Sequence, residues 1–100
     1  MENYELVPNM EILRAKTRIG SMKIVEDKKA CYIEDIAKEM WRCAKIGKNE
    51  THYQIAIGDP ITKKALEKAL EEFKDKGYSV YYSEEGNLEV AITISWPLDL

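Results

Sequence analysis

The sequence predicts an α+β domain: N-terminal helices, then a β-α-β-β unit whose three strands form a sheet in the order 1-3-2, covered on one face by helices. Three observations lead there. Apolar residues recur at three- and four-residue spacing between Asn9 and Lys45 and again between Pro60 and Lys76, the period of a helix with one buried face. They alternate with period two in residues 51–57, 78–83 and 88–96, as half-buried strands do. Between these blocks stand Gly47, Asp59-Pro60 and Gly77, residues that stop or start elements.

Asn9 precedes Met10, Leu13 and Thr17, with Glu11 in the first turn, so it is read as the N-cap of a first helix that Gly20 ends. Residues 21–29 fit either a helix resuming after a kink or a short edge strand; helix is preferred. From Ala30 the pattern sharpens. Ile33, Ile36, Ala37, Met40, Trp41 and Ala44 fall on one broad stripe expected to face the core. Glu34, Asp35, Lys38, Glu39, Arg42 and Lys45 line the outer face, and Gly47 supplies the left-handed residue that commonly stops a helix.

Residues 51–57 place Tyr53, Ile55 and Ile57 on one face and His52, Gln54 and Ala56 on the other. Asp59 then caps a helix and Pro60 occupies its first position, where the missing amide hydrogen costs nothing. That helix buries Ile61, Ala65, Leu66, Ala69, Leu70 and Phe73 and ends at Gly77. The last two strands form a hairpin. A three-residue loop, Glu84-Glu85-Gly86, sets Tyr82 opposite Leu88, Val80 opposite Val90 and Tyr78 opposite Ile92, keeping apolar residues on one side. Pairing should stop at Trp96, because Pro97 cannot donate to a ladder.

The last strand is the most β-prone, so it belongs in the interior of the sheet, antiparallel to both neighbours. Helices then cover Leu88, Val90, Ile92, Ile94 and Trp96. The opposite face carries Glu89, Ala91, Thr93 and Ser95, flanked by His52, Gln54 and Ala56 on one side and Ser79, Tyr81 and Ser83 on the other. It suits either a partner surface, another copy or a planar ligand, or the plain solvated face common in antiparallel sheets.

One hundred residues make one domain, residues 1–100, with one modest core. Apolar residues are 45% and charged residues 33% of the chain, the balance of an ordinary globular protein. No apolar run is long enough to span a bilayer, so no membrane partner is expected. The start of the chain lacks a basic, apolar secretory pattern, so a cytoplasmic location with Cys31 and Cys43 reduced is expected. A net charge of −3 disfavours general DNA binding. Yet Arg14, Lys16, Arg18 and Lys23 occur with no acid among them. That cluster reads either as a solvated helix face or as a site for a small anion.

No catalytic residue is expected. His52 is the single histidine, Glu50 beside it is expected to point to the other face, and no glycine elbow surrounds a serine. Two cysteines and one histidine at this spacing do not make a metal site, and the isolated glycines do not make a phosphate loop. Neither a metal nor a cofactor is expected. What remains suits binding. Tyr53, Tyr78 and Tyr82 share the core parity, whereas Tyr81 has the opposite parity and is free to stack on a base. Arg14 and Arg18 provide rigid forks for phosphates or base edges, with Lys16 beside them and Thr17 for a hydroxyl contact.

The C-terminal half, "HYQIAIGDP" followed by "ALEKALEEFKDKGYSVYYSEEGNLEVAITISW", resembles a group of short tailed-phage proteins with a helix, strand, helix, hairpin layout, a Lys76-Gly77-Tyr78 turn and an Ile94-Ser95-Trp96 finish. These motifs identify a scaffold and no activity. Some small phage proteins of similar build sequester the cyclic nucleotide signals of bacterial anti-phage systems such as CBASS. The resemblance implies a non-enzymatic immune-evasion protein in the host cytoplasm. The ligand would be a cyclic dinucleotide such as 3'3'-cGAMP; from residue chemistry alone its contacts are assigned to Arg14, Lys16, Thr17, Arg18 and Tyr81, and a homo-oligomer is expected because one small domain lacks a deep pocket. The alternative is a phage host-takeover adaptor that inhibits a bacterial enzyme through the exposed sheet face.

Overall fold

The computed structural model describes residues 7–85 and 89–99. Helix α1 runs over Met10–Lys45, strand β1 over Glu50–Ala56, helix α2 over Pro60–Asp75, strand β2 over Ser79–Glu85 and strand β3 over Glu89–Ser95. The three strands form one antiparallel sheet in the order β1-β3-β2. The α+β architecture and the strand order are those the sequence predicts.

The expected N-terminal helices are one element of 36 residues, about 54 Å long at 1.5 Å per residue. Its first turn is capped as anticipated: Asn9 Oδ1 accepts from the amides of Glu11 at 2.9 Å and Ile12 at 3.2 Å. Gly20 does not end it, and residues 21–29 are helical, not an edge strand. Only Gly47 and Gly77 have positive φ among the described residues, so Gly20 sits in ordinary helical backbone. A glycine there costs about 1 kcal/mol against alanine, too little to break a helix that continues on both sides. Gly47, at φ 81°, provides the stop.

Only the second half of α1 is seated on the body. Val25, Ile36, Met40 and Cys43 are buried, whereas every residue from Met10 to Ile24 is exposed except the half-buried Ser21. The first fifteen residues thus form a projecting arm, and the molecule is 72 Å in its longest dimension. Trp41 departs from expectation, being 70% exposed. It follows Met40 by one residue, a rotation of about 100°, which carries it past the edge of the buried face; Cys43 fills the core instead.

Asp59 caps α2, its carboxylate accepting from the Thr62 amide at 2.7 Å and the Thr62 hydroxyl at 3.1 Å. The amide bond chiefly holds the Asp59 carboxyl below its ordinary pKa. Ala65, Leu66, Ala69, Leu70 and Phe73 are buried as predicted, Ile61 is half-buried, and Thr62 is buried besides. Lys29 Nζ reaches Glu72 Oε1 at 2.9 Å, joining α1 to α2, and Lys63 Nζ reaches Glu84 Oε1 at 2.9 Å, joining α2 to β2.

The hairpin register differs by four residues on one strand from the expected one. Tyr82 lies opposite Ile92, Val80 opposite Ile94 and Glu84 opposite Val90; Glu84 and Glu85 belong to β2, and Tyr78 precedes it. Gly86 and Leu88, expected in the turn and at the head of the last strand, lie outside the described residues. A shift of four, being even, preserves the face each side chain takes. Val90, Ile92 and Ile94 are therefore buried beneath the helices, together with Ile36, Met40, Leu66, Leu70 and Phe73, and Trp96 packs against this core. No helix among the described residues is long and apolar enough to cross a membrane.

Candidate functional site

Three surfaces have the chemistry to bind something, and each follows from how its element is seated. The first is the arm. Residues 14, 17 and 18 are one turn apart on α1, so Arg14, Thr17 and Arg18 line one shallow groove of about 390 Å³ together with Met10 and Leu13. Neither arginine forms an ion pair among the described residues. The Thr17 hydroxyl donates to the Leu13 carbonyl at 2.8 Å, so towards a ligand it can only accept. Lys16 is not part of this groove; helical rotation turns it towards another face of the arm.

The second surface is the open face of the sheet. His52, Gln54 and Ala56 are exposed, Ala91, Thr93 and Ser95 are half-exposed, and Tyr81 is 68% exposed, as the alternation of the strands predicts. Tyr81 therefore lies on the side of the sheet away from the helices. The structure does not bring it to Arg14, Lys16, Thr17 and Arg18 within one chain. Glu50 is not on the far side from His52. The two are two residues apart on β1 and share a face. Glu50 Oε1 lies 3.2 Å from His52 Nε2, and Thr93 Oγ1 lies 3.0 Å from His52 Nδ1.

Carboxylate, imidazole and hydroxyl in a row have the connectivity of a nucleophilic triad. Here they stand on an exposed surface, with the side chains of Glu50 and His52 more than half accessible. Thr93 sits mid-strand between β1 and β2, where strand amides are committed to the ladder and cannot receive a developing oxyanion. The row orients the imidazole across the sheet. Among the described residues no cluster of three potential metal ligands occurs.

The third surface was not legible in the sequence as a site. Ala37, Met40, Trp41 and Ala44 of α1 meet Phe73, Tyr78 and Trp96 around an apolar hollow of about 310 Å³. Tyr78 stands edge-on to both Phe73, at 6.1 Å and 70°, and Trp96, at 6.3 Å and 89°, arrangements that suit ring quadrupoles. Trp96 is fixed from behind, its backbone bonded to Asn49. Trp41 forms the open wall. The periodicity marked these residues as core, and the missing signal was the offset of Trp41 from the buried stripe. Beside it, where α1 turns into β1, a polar hollow of about 430 Å³ is lined by Arg42, Lys48, Asn49 and His52 among others. Arg42 is already committed there to Glu39 at 3.0 Å.

The geometry thus offers a groove with two guanidinium groups on the arm, a small-residue face with one aromatic ring on the sheet, and an apolar hollow at the base of α1. A scan against protein-family models finds no family matching this chain, and searches of curated proteins and of solved structures find no match either.

Proposed function

We propose that this chain is a non-enzymatic phage immune-evasion protein that sequesters a cyclic dinucleotide signal, such as 3'3'-cGAMP, in the cytoplasm of the host. The observation that carries this reading is the arm groove, in which Arg14 and Arg18 stand one turn apart with no carboxylate paired to either among the described residues. A guanidinium fork binds a phosphate oxygen pair through charge-assisted bonds, and two such forks suit a ligand with two phosphates. Met10 and Leu13 supply apolar contact for a base, and Lys16 adds charge from the neighbouring face. Tyr81 is too remote within one chain, so its stacking role belongs to a second copy in a homo-oligomer. The likeness of the C-terminal half to short tailed-phage proteins supports the same reading.

Titration calorimetry with a panel of cyclic di- and trinucleotides tests it. Dissociation constants in the micromolar range or tighter, lost in Arg14→Ala/Arg18→Ala, are expected. Nucleotide recovered unaltered after heat denaturation of the protein is expected of a sponge; a hydrolysed product would overturn the non-enzymatic assignment.

The second reading is an adaptor that blocks a bacterial enzyme through a protein interface. The exposed sheet face favours it, with Tyr81 standing above small and hydroxylated neighbours. Silence across the nucleotide panel, together with a host enzyme whose inhibition is relieved by Tyr81→Ala, would replace the first reading by the second.

A further inference from the structure

We infer that α1 is also a dimerisation helix: two copies pair antiparallel along α1, and the arm of each closes the aromatic hollow of the other. The inference starts from two apolar patches that the core does not use. On α1, Ile12, Ala15 and Ile19 form one apolar patch at three- and four-residue spacing, and Ala37, Trp41 and Ala44 form a second on the same face five turns on, with the exposed Lys23 and Glu26 on that face between them. In the single chain Ile12, Ile19 and Trp41 are 60%, 70% and 70% exposed. Ala15 and Ala44 are exposed as well, and Ala37 is only half-buried. Two aliphatic and aromatic patches on one exposed helix face mark an interaction surface.

The order of side-chain sizes along the two patches identifies the occupant. Laid antiparallel about a two-fold axis near residue 28, the patches set Ile12 against Ala44, Ala15 against Trp41 and Ile19 against Ala37 of the second copy. Each large side chain meets an alanine, which is the interlocking of large and small that close helix packing requires. A parallel pairing would set Trp41 against Trp41 and Ala15 against Ala15, a clash and a gap. Charge agrees with the antiparallel choice. Residues 10–24 hold Arg14, Lys16, Arg18 and Lys23 against Glu11 alone, a net +3, whereas residues 32–46, which the antiparallel pairing sets opposite them, hold Glu34, Asp35 and Glu39 against Lys38, Arg42 and Lys45, a net of zero. Antiparallel pairing avoids laying one +3 arm on another, as a parallel pairing would, and brings Lys23 beside Glu34, twice by symmetry.

A chain cannot make this contact with itself. Ile12 and Trp41 are 29 residues apart on one helix, about 44 Å, so the hollow lined by Ala37, Trp41 and Ala44 is completed only by another chain's Ile12 and Ala15. The groove of Arg14, Thr17 and Arg18 lies on a different face of the arm and stays open in the dimer. The inference holds with or without nucleotide, and its test uses none.

Sedimentation of the intact protein at tens of micromolar is expected to give twice the 11.6 kDa chain mass. Ile19→Glu is expected to give the monomer, with unchanged helical circular dichroism because Ile19 is exposed in the single chain. For orientation, Ile19→Cys/Ala37→Cys in a Cys31→Ser background is expected to oxidise to a covalent dimer. The two new thiols, about 27 Å apart on one helix, cannot join within a chain. Ile19→Cys alone should stay uncrosslinked. A monomeric wild type, an Ile19→Glu variant that still dimerises, or crosslinking of Ile19→Cys alone as efficient as the pair would each overturn the inference.

Discussion

Asn49 and Trp96 exchange two hydrogen bonds: the Trp96 amide donates to the Asn49 carbonyl at 3.0 Å, and Asn49 Nδ2 donates to the Trp96 carbonyl at 2.9 Å. The pair closes the β1–β3 ladder one step beyond Glu50 and Ser95, where Pro97 can contribute no donor. It also fixes the backbone of an aromatic residue that walls the hollow. Replacing Asn49 with alanine removes the side-chain bond and keeps the backbone one. A loss of about 1 kcal/mol is expected, measured by urea unfolding. Trp96 emission in a Trp41→Phe background should shift to the red as the ring gains freedom; unchanged emission would show that packing alone holds it.

Thr51 carries the opposite lesson. It is 1% exposed, opposite Ile94 one pair in from the end of the β1–β3 ladder, and its hydroxyl finds no hydrogen-bond partner among the described residues. A buried hydroxyl without a partner costs about 1 to 3 kcal/mol in desolvation, and valine has the same shape without that cost. Thr51→Val is therefore expected to raise stability by about 1 kcal/mol in chemical denaturation. A loss of stability would mean that the hydroxyl is bonded after all.

Asp59 predicts how the fold responds to acid. Its carboxyl is held below the ordinary value of 3.8, first by the Thr62 amide and further by the Thr62 hydroxyl. A folded pKa below the unfolded one means that the unfolded chain binds the proton more readily. The cap's contribution is thus fully present above about pH 5 and is lost as pH falls through the folded pKa. Glu72 and Glu84, lowered chiefly by hydrogen bonds from Lys29 and Lys63, act with the same sign. Asp59→Asn keeps a capping oxygen and removes the titration. Stability measured between pH 6 and pH 3 should fall less steeply in this variant than in the wild type, and parallel curves would remove Asp59 from the account.

Gly20 and Gly77 test the helix assignment as a contrast. At Gly20 an added Cβ meets nothing within 4 Å and the backbone is helical, so alanine should stiffen the arm by about 1 kcal/mol of helix propensity. Gly77, at φ 94°, follows α2 in the left-handed conformation, and alanine there should destabilise the fold by about 1 kcal/mol. Helical circular dichroism should rise in Gly20→Ala and the unfolding midpoint should fall in Gly77→Ala. A loss of helicity in Gly20→Ala would divide α1 into two helices.

Most of the fold was legible because periodicity reports which face a residue takes. The burial of Val90, Ile92 and Ile94 and the exposure of Tyr81 both follow from alternation alone, as do the two caps, Asn9 and Asp59, from local chemistry. Alternation does not distinguish registers four residues apart, since both keep Tyr82 and Ile92 on the buried side. The setting Tyr82–Ile92 is accompanied by contacts made far along the chain. Gly20 misled because a glycine signals a stop only where the backbone turns left-handed, which no neighbouring residue announced. The arm groove of Arg14, Thr17 and Arg18 was readable from spacing, Lys16 was not separable from it by composition, and the hollow around Trp41 was hidden because its lining has the composition of a core.

The arm of α1, free from Met10 to Ile24, behaves as a lever about 22 Å long whose fulcrum is the seat of Val25 and Lys29 on the body. A tilt of about 10° at that seat would sweep the tip through about 4 Å, by the same helix dimensions, as much as separates a closed contact from an open one. Side chains that never touch a ligand or a second copy, such as Val25 and Glu72, therefore set the aim of Arg14 and Arg18 from a distance.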